Sequence, residues 1–193
     1  MGNELEHRKV AFLVANEGIE QVELTEPWAA VERAGGVPVL VAPEAGMVQA
    51  YHHLDAADTF PVDRTTAELD PREFVGVVLP GGVANPDQLR MDAPAVEFVR
   101  DWVRAGHGVA AICHGPWTLV EAGVVRGRTL TSWPSLQTDI RNAGGEWIDA
   151  EVHVDENIVT SRKPDDLPAF CSAMVKLFEA AITTPPAEAA LPG

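Results

Sequence analysis

A chain of 193 residues, 46% hydrophobic and 22% charged, is long enough to bury one full core. Its formal charge of −15 argues against long polyanions such as nucleic acid, and against anionic membrane surfaces, while leaving small anionic substrates open. Two cysteines, Cys113 and Cys171, exclude a disulfide framework and fit a reducing, cytosolic setting.

The polar stretch Met1 to Lys9 lacks the apolar core of a signal peptide, and no run approaches the ~20 apolar residues of a membrane span. Val10 to Ala15 is a continuous apolar run, as expected for a strand buried on both faces. Asn16 to Glu20 reads as a loop. Val22 to Ala34 reads as a helix stopped by Gly35-Gly36, with Pro27 predicting either a kink or a start near Thr25. Val37 to Val41 is the next strand, completing one crossover unit. Val48 to Tyr51 and Thr59 to Val62 are expected to form a hairpin appended to that sheet. Between them, His52, His53 and Asp55 have no companions at metal-ligand spacing, so no metal site is read there.

Gly76 to Leu79 is another buried strand, running into Pro80-Gly81-Gly82. Asp87 falls in a predicted loop from Val83 to Arg90. Pro94 to Ala105 has the spacing of an amphipathic helix. Val109 to Ile112 is a strand and Trp117 to Ala122 a helix. Arg128 to Ser132 (strand), Leu136 to Ala143 (helix) and a pair of strands at Val152 to Val154 and Asn157 to Thr160 follow. Asp165 or Asp166 is expected to cap the last helix, whose core stripe includes Phe170, Met174 and Phe178. Cys171 reads as a core filler there. Thr184 to Gly193 reads as a frayed tail. Alternating strands and helices predict a single α/β domain, core about 10–182, with a mostly parallel sheet covered by helices on both faces.

The chemistry concentrates at Ala111-Ile112-Cys113-His114-Gly115. A nucleophile flanked by small residues between a strand and a helix is the pattern of a nucleophile elbow. The turn lifts the thiol beside a helix N-terminus, where N–H groups favour thiolate. The Gly81 and Gly82 backbone is suited to an oxyanion hole opposite such a nucleophile, with the N–H after the cysteine. Neighbouring side chains on a turn point apart, so His114 either serves as a base through another arrangement or lines the rim. Of Glu17, Glu20, Glu23 and Glu26, one turned back into the crevice would keep its proton beside a thiolate. Trp117 and Trp133 are candidates for pocket walls. No Walker loop, dinucleotide fingerprint or zinc spacing is present, so no cofactor is expected.

Four segments carry a resemblance: V-L-P-G-G (Val78–Gly82), A-I-C-H-G-P-W (Ala111–Trp117), G-R-T-L-T-S-W-P (Gly127–Pro134) and N-A-G-G-E-W (Asn142–Trp147). They resemble the intracellular protease I (PfpI-like) family of the DJ-one superfamily, over about Val10 to Phe178. The resemblance implies a flavodoxin-like sandwich, of the class I glutamine amidotransferase-like fold, assembled as a homodimer or a hexamer. It makes Cys113 the nucleophile, Glu23 the acid that contacts its thiol, and Gly82 with the His114 backbone the oxyanion donors. It pairs His114 with an acid from across a subunit contact; Asp87 stands at that position, one methylene shorter than the family's Glu. Arg162 matches a residue near the pocket mouth. The implied activities are glyoxalase or deglycase chemistry on α-oxoaldehydes or their protein adducts. Intracellular peptidase activity is the alternative, and a redox sensor or holdase working through oxidation of Cys113 is a third.

Overall fold

Residues along the central strands alternate between two apolar layers, because successive side chains in a strand point to opposite faces. Val10 and Phe12 go to one layer, Ala11 and Leu13 to the other, and all four are fully buried. The computed structural model describes residues 4–183, so the expected tail at 184–193 lies outside the described residues. The first strand, β1 (Lys9–Leu13), is followed by a short β2 (Glu17–Glu20), helix α1 (Gln21–Arg33) and β3 (Val37–Ala42). Next come β4 (Met47–His52), β5 (Asp55–Pro61), β6 (Arg64–Thr65) and β7 (Phe74–Leu79). Helices α2 (Ala84–Leu89) and α3 (Ala93–Arg104) lead to β8 (Val109–Ile112) and α4 (Pro116–Glu121). The chain finishes with β9 (Thr129–Leu130), α5 (Gln137–Asn142), β10 (Glu146–Trp147), β11 (Val152–Asp155), β12 (Ile158–Ser161) and α6 (Leu167–Thr183).

Seven strands form the main sheet in the order β11-β12-β8-β7-β1-β3-β6. All neighbours run parallel except β11 with β12. Helices α1 and α6 cover one face through Leu24, Val31, Phe170, Met174 and Phe178. Helices α3, α4 and α5 cover the other through Val99, Trp102, Leu119 and Ile140. This is the doubly wound α/β sandwich expected from the alternation of elements. From β1 the chain goes to β3 on one side and later to β7 on the other, so the strand order reverses beside β1. Such a reversal opens a crevice at the carboxyl ends of the strands.

Four expectations are corrected. The segment Glu17–Glu20 is a strand rather than a loop, and the β4–β5 hairpin pairs with it in a separate three-stranded sheet instead of joining the main one. Helix α1 starts at Gln21 and runs through Pro27, whose buried ring only removes the donor that the Glu23 carbonyl would otherwise receive. Asp166 does not serve α6 as a simple cap. Its carboxylate takes the Arg162 backbone N–H and two guanidinium nitrogens instead.

Candidate active site

The strand β8 ends at Ile112, and the next residue turns sharply. Cys113 has φ 60°, a left-handed conformation that is uncommon and strained for a residue with a Cβ. The surroundings hold it there. Its N–H donates to Ser161 O at 3.0 Å, its carbonyl accepts from Trp133 N at 2.8 Å, and Gly115 N closes the turn on Ile112 O at 2.8 Å. Gly115 must be glycine, since a Cβ there would run into the Leu79 carbonyl and sit 2.9 Å from Ile112 O.

Helix α1 brings Glu23 to the same spot. Glu23 is completely buried, and Oε2 accepts the Gly81 N–H at 2.8 Å. Oε1 is sealed from solvent with no hydrogen-bond partner, and the Glu23 carboxyl as a whole lies beside the Cys113 thiol. Burial dominates and pushes the Glu23 carboxyl up to about 8, against the opposing pull of the Cys113 and Gly81 hydrogen bonds. A carboxyl that is neutral at pH 7 has an O–H to donate, which suits a buried carboxyl next to a sulfur. Of the four clustered glutamates, Glu23 alone is buried. Gly81 is the other half of this contact. A Cβ on it would fall onto the Glu23 carboxylate and within 2.7 Å of Cys113 Cβ.

Burial also pushes the Cys113 thiol up, followed by the Glu23 charge and hydrogen bond, while the N–H groups of Gly82 and His114 pull it down. The helix N-terminus expected to favour the thiolate belongs to α4, which spans only six residues, and burial with the neighbouring acid acts in the opposite direction. Two negative charges cannot share so dry a space, so the proton on Glu23 is what allows the sulfur to become anionic.

His114 is placed otherwise than a regular turn would have it. Because Cys113 is left-handed, the imidazole swings back, and Nδ1 lies 3.2 Å from Sγ. Nε2 is 3.4 Å from Ser135 Oγ, and the Trp133 ring stacks on the imidazole at 5.8 Å between centroids. Burial holds His114 below the usual histidine range, so at neutral pH it is an uncharged acceptor. Asp87 lies on α2 rather than in a loop, exposed, and makes no hydrogen bond to His114 within the protomer. Trp117 is half-buried against the α3/α4/α5 core and carries the Arg90 guanidinium 5.0 Å above its ring, whereas Trp133 is the aromatic neighbour of His114. Arg162 follows β12 and is clamped between Asp149 and Asp166 at 2.6 and 2.9 Å.

The residue that sequence reasoning missed is Asn85. Its side chain is 1% exposed and bonds to the backbone at Ala15, Pro80 and Gly81. Among the described residues, no three His, Cys, Asp or Glu side chains gather in a way that would hold a metal ion.

Residues 8–177 match the DJ-1/PfpI family. The chain belongs to the DJ-1/PfpI family. Deglycase PfpI of Pyrococcus furiosus is 43% identical over 171 residues, covering 89% of this chain and 99% of that protein. Protein/nucleic acid deglycase 2 of Escherichia coli is 41% identical over 174 residues, with 90% and 99% covered. YraA of Bacillus subtilis, whose name places it provisionally among cysteine proteases, is 39% identical over 172 residues, with 89% and 99% covered. Among solved structures, Drosophila melanogaster DJ-1beta superposes with a TM-score of 0.79 at 25% identity, covering 92% of this chain and 97% of that one.

Proposed function

We propose that this DJ-1/PfpI member is a cysteine-dependent deglycase or glyoxalase, acting on α-oxoaldehydes or their adducts with amino groups. One observation carries the reading: a strained cysteine at a strand end, in contact with a fully buried carboxyl that keeps its proton at neutral pH. The Cys113 thiol passes its proton to His114 Nδ1, and the sulfur adds to the aldehyde carbonyl carbon, freed from an adduct by departure of the amine. The C=O π pair moves to the oxygen, whose charge the Gly82 and His114 N–H groups receive. Glu23, cycling between its neutral and charged forms, carries the proton between carbon and oxygen. Water finally cleaves the C–S bond to release the hydroxy acid. Cys113 is 6% exposed and His114 8% exposed, so only a small or protruding reactive group reaches the sulfur. That favours an aldehyde adduct over a folded polypeptide. The names of the Pyrococcus and Escherichia relatives agree with this substrate class. The unpaired thiols are in keeping with a reducing, cytosolic setting, and we take the protein as a homodimer.

The test is turnover of methylglyoxal by Cys113→Ala and Glu23→Gln. Each loses it, and undiminished turnover in either would falsify the scheme. A second reading, a cysteine peptidase, draws on the 3.2 Å approach of His114 Nδ1 to Sγ. It needs an acid such as Asp87 from a neighbouring chain. Absence of peptide cleavage from homogeneous hexamers with an intact thiol removes this reading, whereas cleavage that survives Asp87→Asn removes only Asp87 from it.

A further inference from the structure

The loop that faces Cys113 is built from two consecutive peptide units, and each has its two ends committed in opposite directions. In a trans peptide the carbonyl and the following N–H point to opposite sides of the unit. The Pro80–Gly81 unit directs its N–H to Glu23 Oε2 at 2.8 Å, and its carbonyl receives Asn85 Nδ2 at 2.9 Å. In the Gly81–Gly82 unit the N–H favours ionisation of the neighbouring Cys113 thiol, and the carbonyl receives the same Asn85 nitrogen at 3.0 Å. A weaker approach by Glu20 N, at 3.4 Å, assists the second carbonyl. Asn85 Oδ1 accepts Ala15 N–H at 2.7 Å, just beyond the end of β1. An N–H facing the oxygen and two carbonyls facing the nitrogen leave only one orientation for this amide.

Glycines make the loop necessary and also leave it loose. Gly82 has φ 82°, and residues without a Cβ can rotate their peptide planes readily. A loop free to rotate would lose its aim at an oxygen developing charge, which costs more than losing a hydrogen bond in water. We propose that Asn85 is the positioning residue of the oxyanion loop, its single amide holding the Pro80 and Gly81 carbonyls so that the Gly81 N–H meets Glu23 and the Gly82 N–H stays beside the Cys113 thiol. The proposal rests on the reading of Cys113 as nucleophile. It adds that the loop's aim is set from α2 and from the end of β1, by a side chain that touches neither substrate nor sulfur.

Asn85→Asp and Asn85→Ala separate this role from a merely structural one. Asp keeps the oxygen that accepts Ala15 N–H but replaces the donor to both carbonyls with an acceptor. Ala removes everything. Two readouts are taken on the full-length folded protein: the pH profile of Cys113 alkylation by iodoacetamide, located by mass spectrometry, and kcat with KM for methylglyoxal. The alkylation midpoint is expected to rise by about one pH unit in both variants. In both, kcat falls on the order of a hundredfold, while KM changes by less than about threefold. Asp is expected to be no milder than Ala. A folded Asn85→Asp with the wild-type profile and kcat overturns the proposal. So does an Asp variant clearly milder than Ala, since then only the tether to Ala15 matters. If the wild type does not turn over methylglyoxal, the substrate reading fails but the alkylation profile still decides the role of Asn85. If neither variant folds, the wild type must show through-hydrogen-bond NMR couplings from the Asn85 side-chain nitrogen to both carbonyl carbons. Absence of those couplings overturns the proposal.

Discussion

The molecule's two cysteines each lie beside a glutamate of the same helix, and they differ in almost everything else. Cys113 stands at the elbow next to Glu23, the third residue of α1; Cys171 sits on α6 near Glu26, one turn further along. Burial pushes both thiols up, Cys171 to about 11. The glutamates separate them. Glu26 is exposed, and it lines a cleft of about 800 Å³ between α1 and α6 together with Cys171, Arg33 and Lys176. Its charge only hinders ionisation of Cys171, with Arg33 in opposition. Glu23 is sealed in, keeps a proton, and faces a sulfur that also has N–H donors and a strained backbone. An acid next to a thiol therefore means little by itself; its own solvation decides whether it obstructs the sulfur or serves it. Cys171, expected as a core filler, packs half-buried against the core and also lines the seam between two helices.

The sharpest way to break this comparison is to remove each sulfur in turn. Cys113→Ser is expected to lower methylglyoxal turnover by at least about a thousandfold, while Cys171→Ser stays within about twofold of wild type. Equal losses would erase the distinction. A smaller effect is expected in reactivity. Under mild peroxide, Cys113 should reach the sulfinic acid at least roughly tenfold faster than Cys171 near neutral pH, as mass spectrometry would show. Equal oxidation of the two would mean that the elbow confers no special reactivity and would end the redox-sensor reading.

The smallest effect is thermodynamic and concerns Glu23. Its folded pKa, about 8, lies above the ordinary 4.5. Between those values the folded state holds more protons than the unfolded state, so stability is full at the acid end and declines as pH rises. The slope is at most about 1.4 kcal/mol per pH unit. Glu23→Gln removes it, so the variant's stability relative to wild type should grow, by on the order of 1–3 kcal/mol, between about pH 5 and pH 8. Urea unfolding across that range measures the difference. A gap that stays constant with pH would mean that Glu23 ionises as freely in the fold as outside it.

Much of the fold was legible because strand and helix signals are local. The elbow strand runs from Val109 to Ile112 as expected, and Pro116 opens the following helix. What escaped depends on contacts distant in sequence or on one backbone angle. Glu23 meets its backbone partner Gly81, 58 positions away, and four neighbouring glutamates look alike until the chain folds. The approach of His114 to its neighbour follows from the left-handed φ of Cys113, a conformation that no periodicity announces. Asn85 resembles any polar residue early in a short helix; its meaning comes from Ala15, 70 positions earlier. Glu17–Glu20 pairs with β4 through the backbone and a single apolar side chain, Ile19, which packs with Val48 and Ala50, so its short sequence gave no alternation to read.

Infrared difference spectroscopy between wild type and Glu23→Gln tests the shared proton most directly. At neutral pH the wild type should show the carbonyl stretch of a neutral, dehydrated carboxyl that the variant lacks, and that band should fade as pH passes about 8. If the same spectra at neutral pH show only carboxylate bands assignable to Glu23, the carboxyl is already charged and the account of Cys113 chemistry is contradicted.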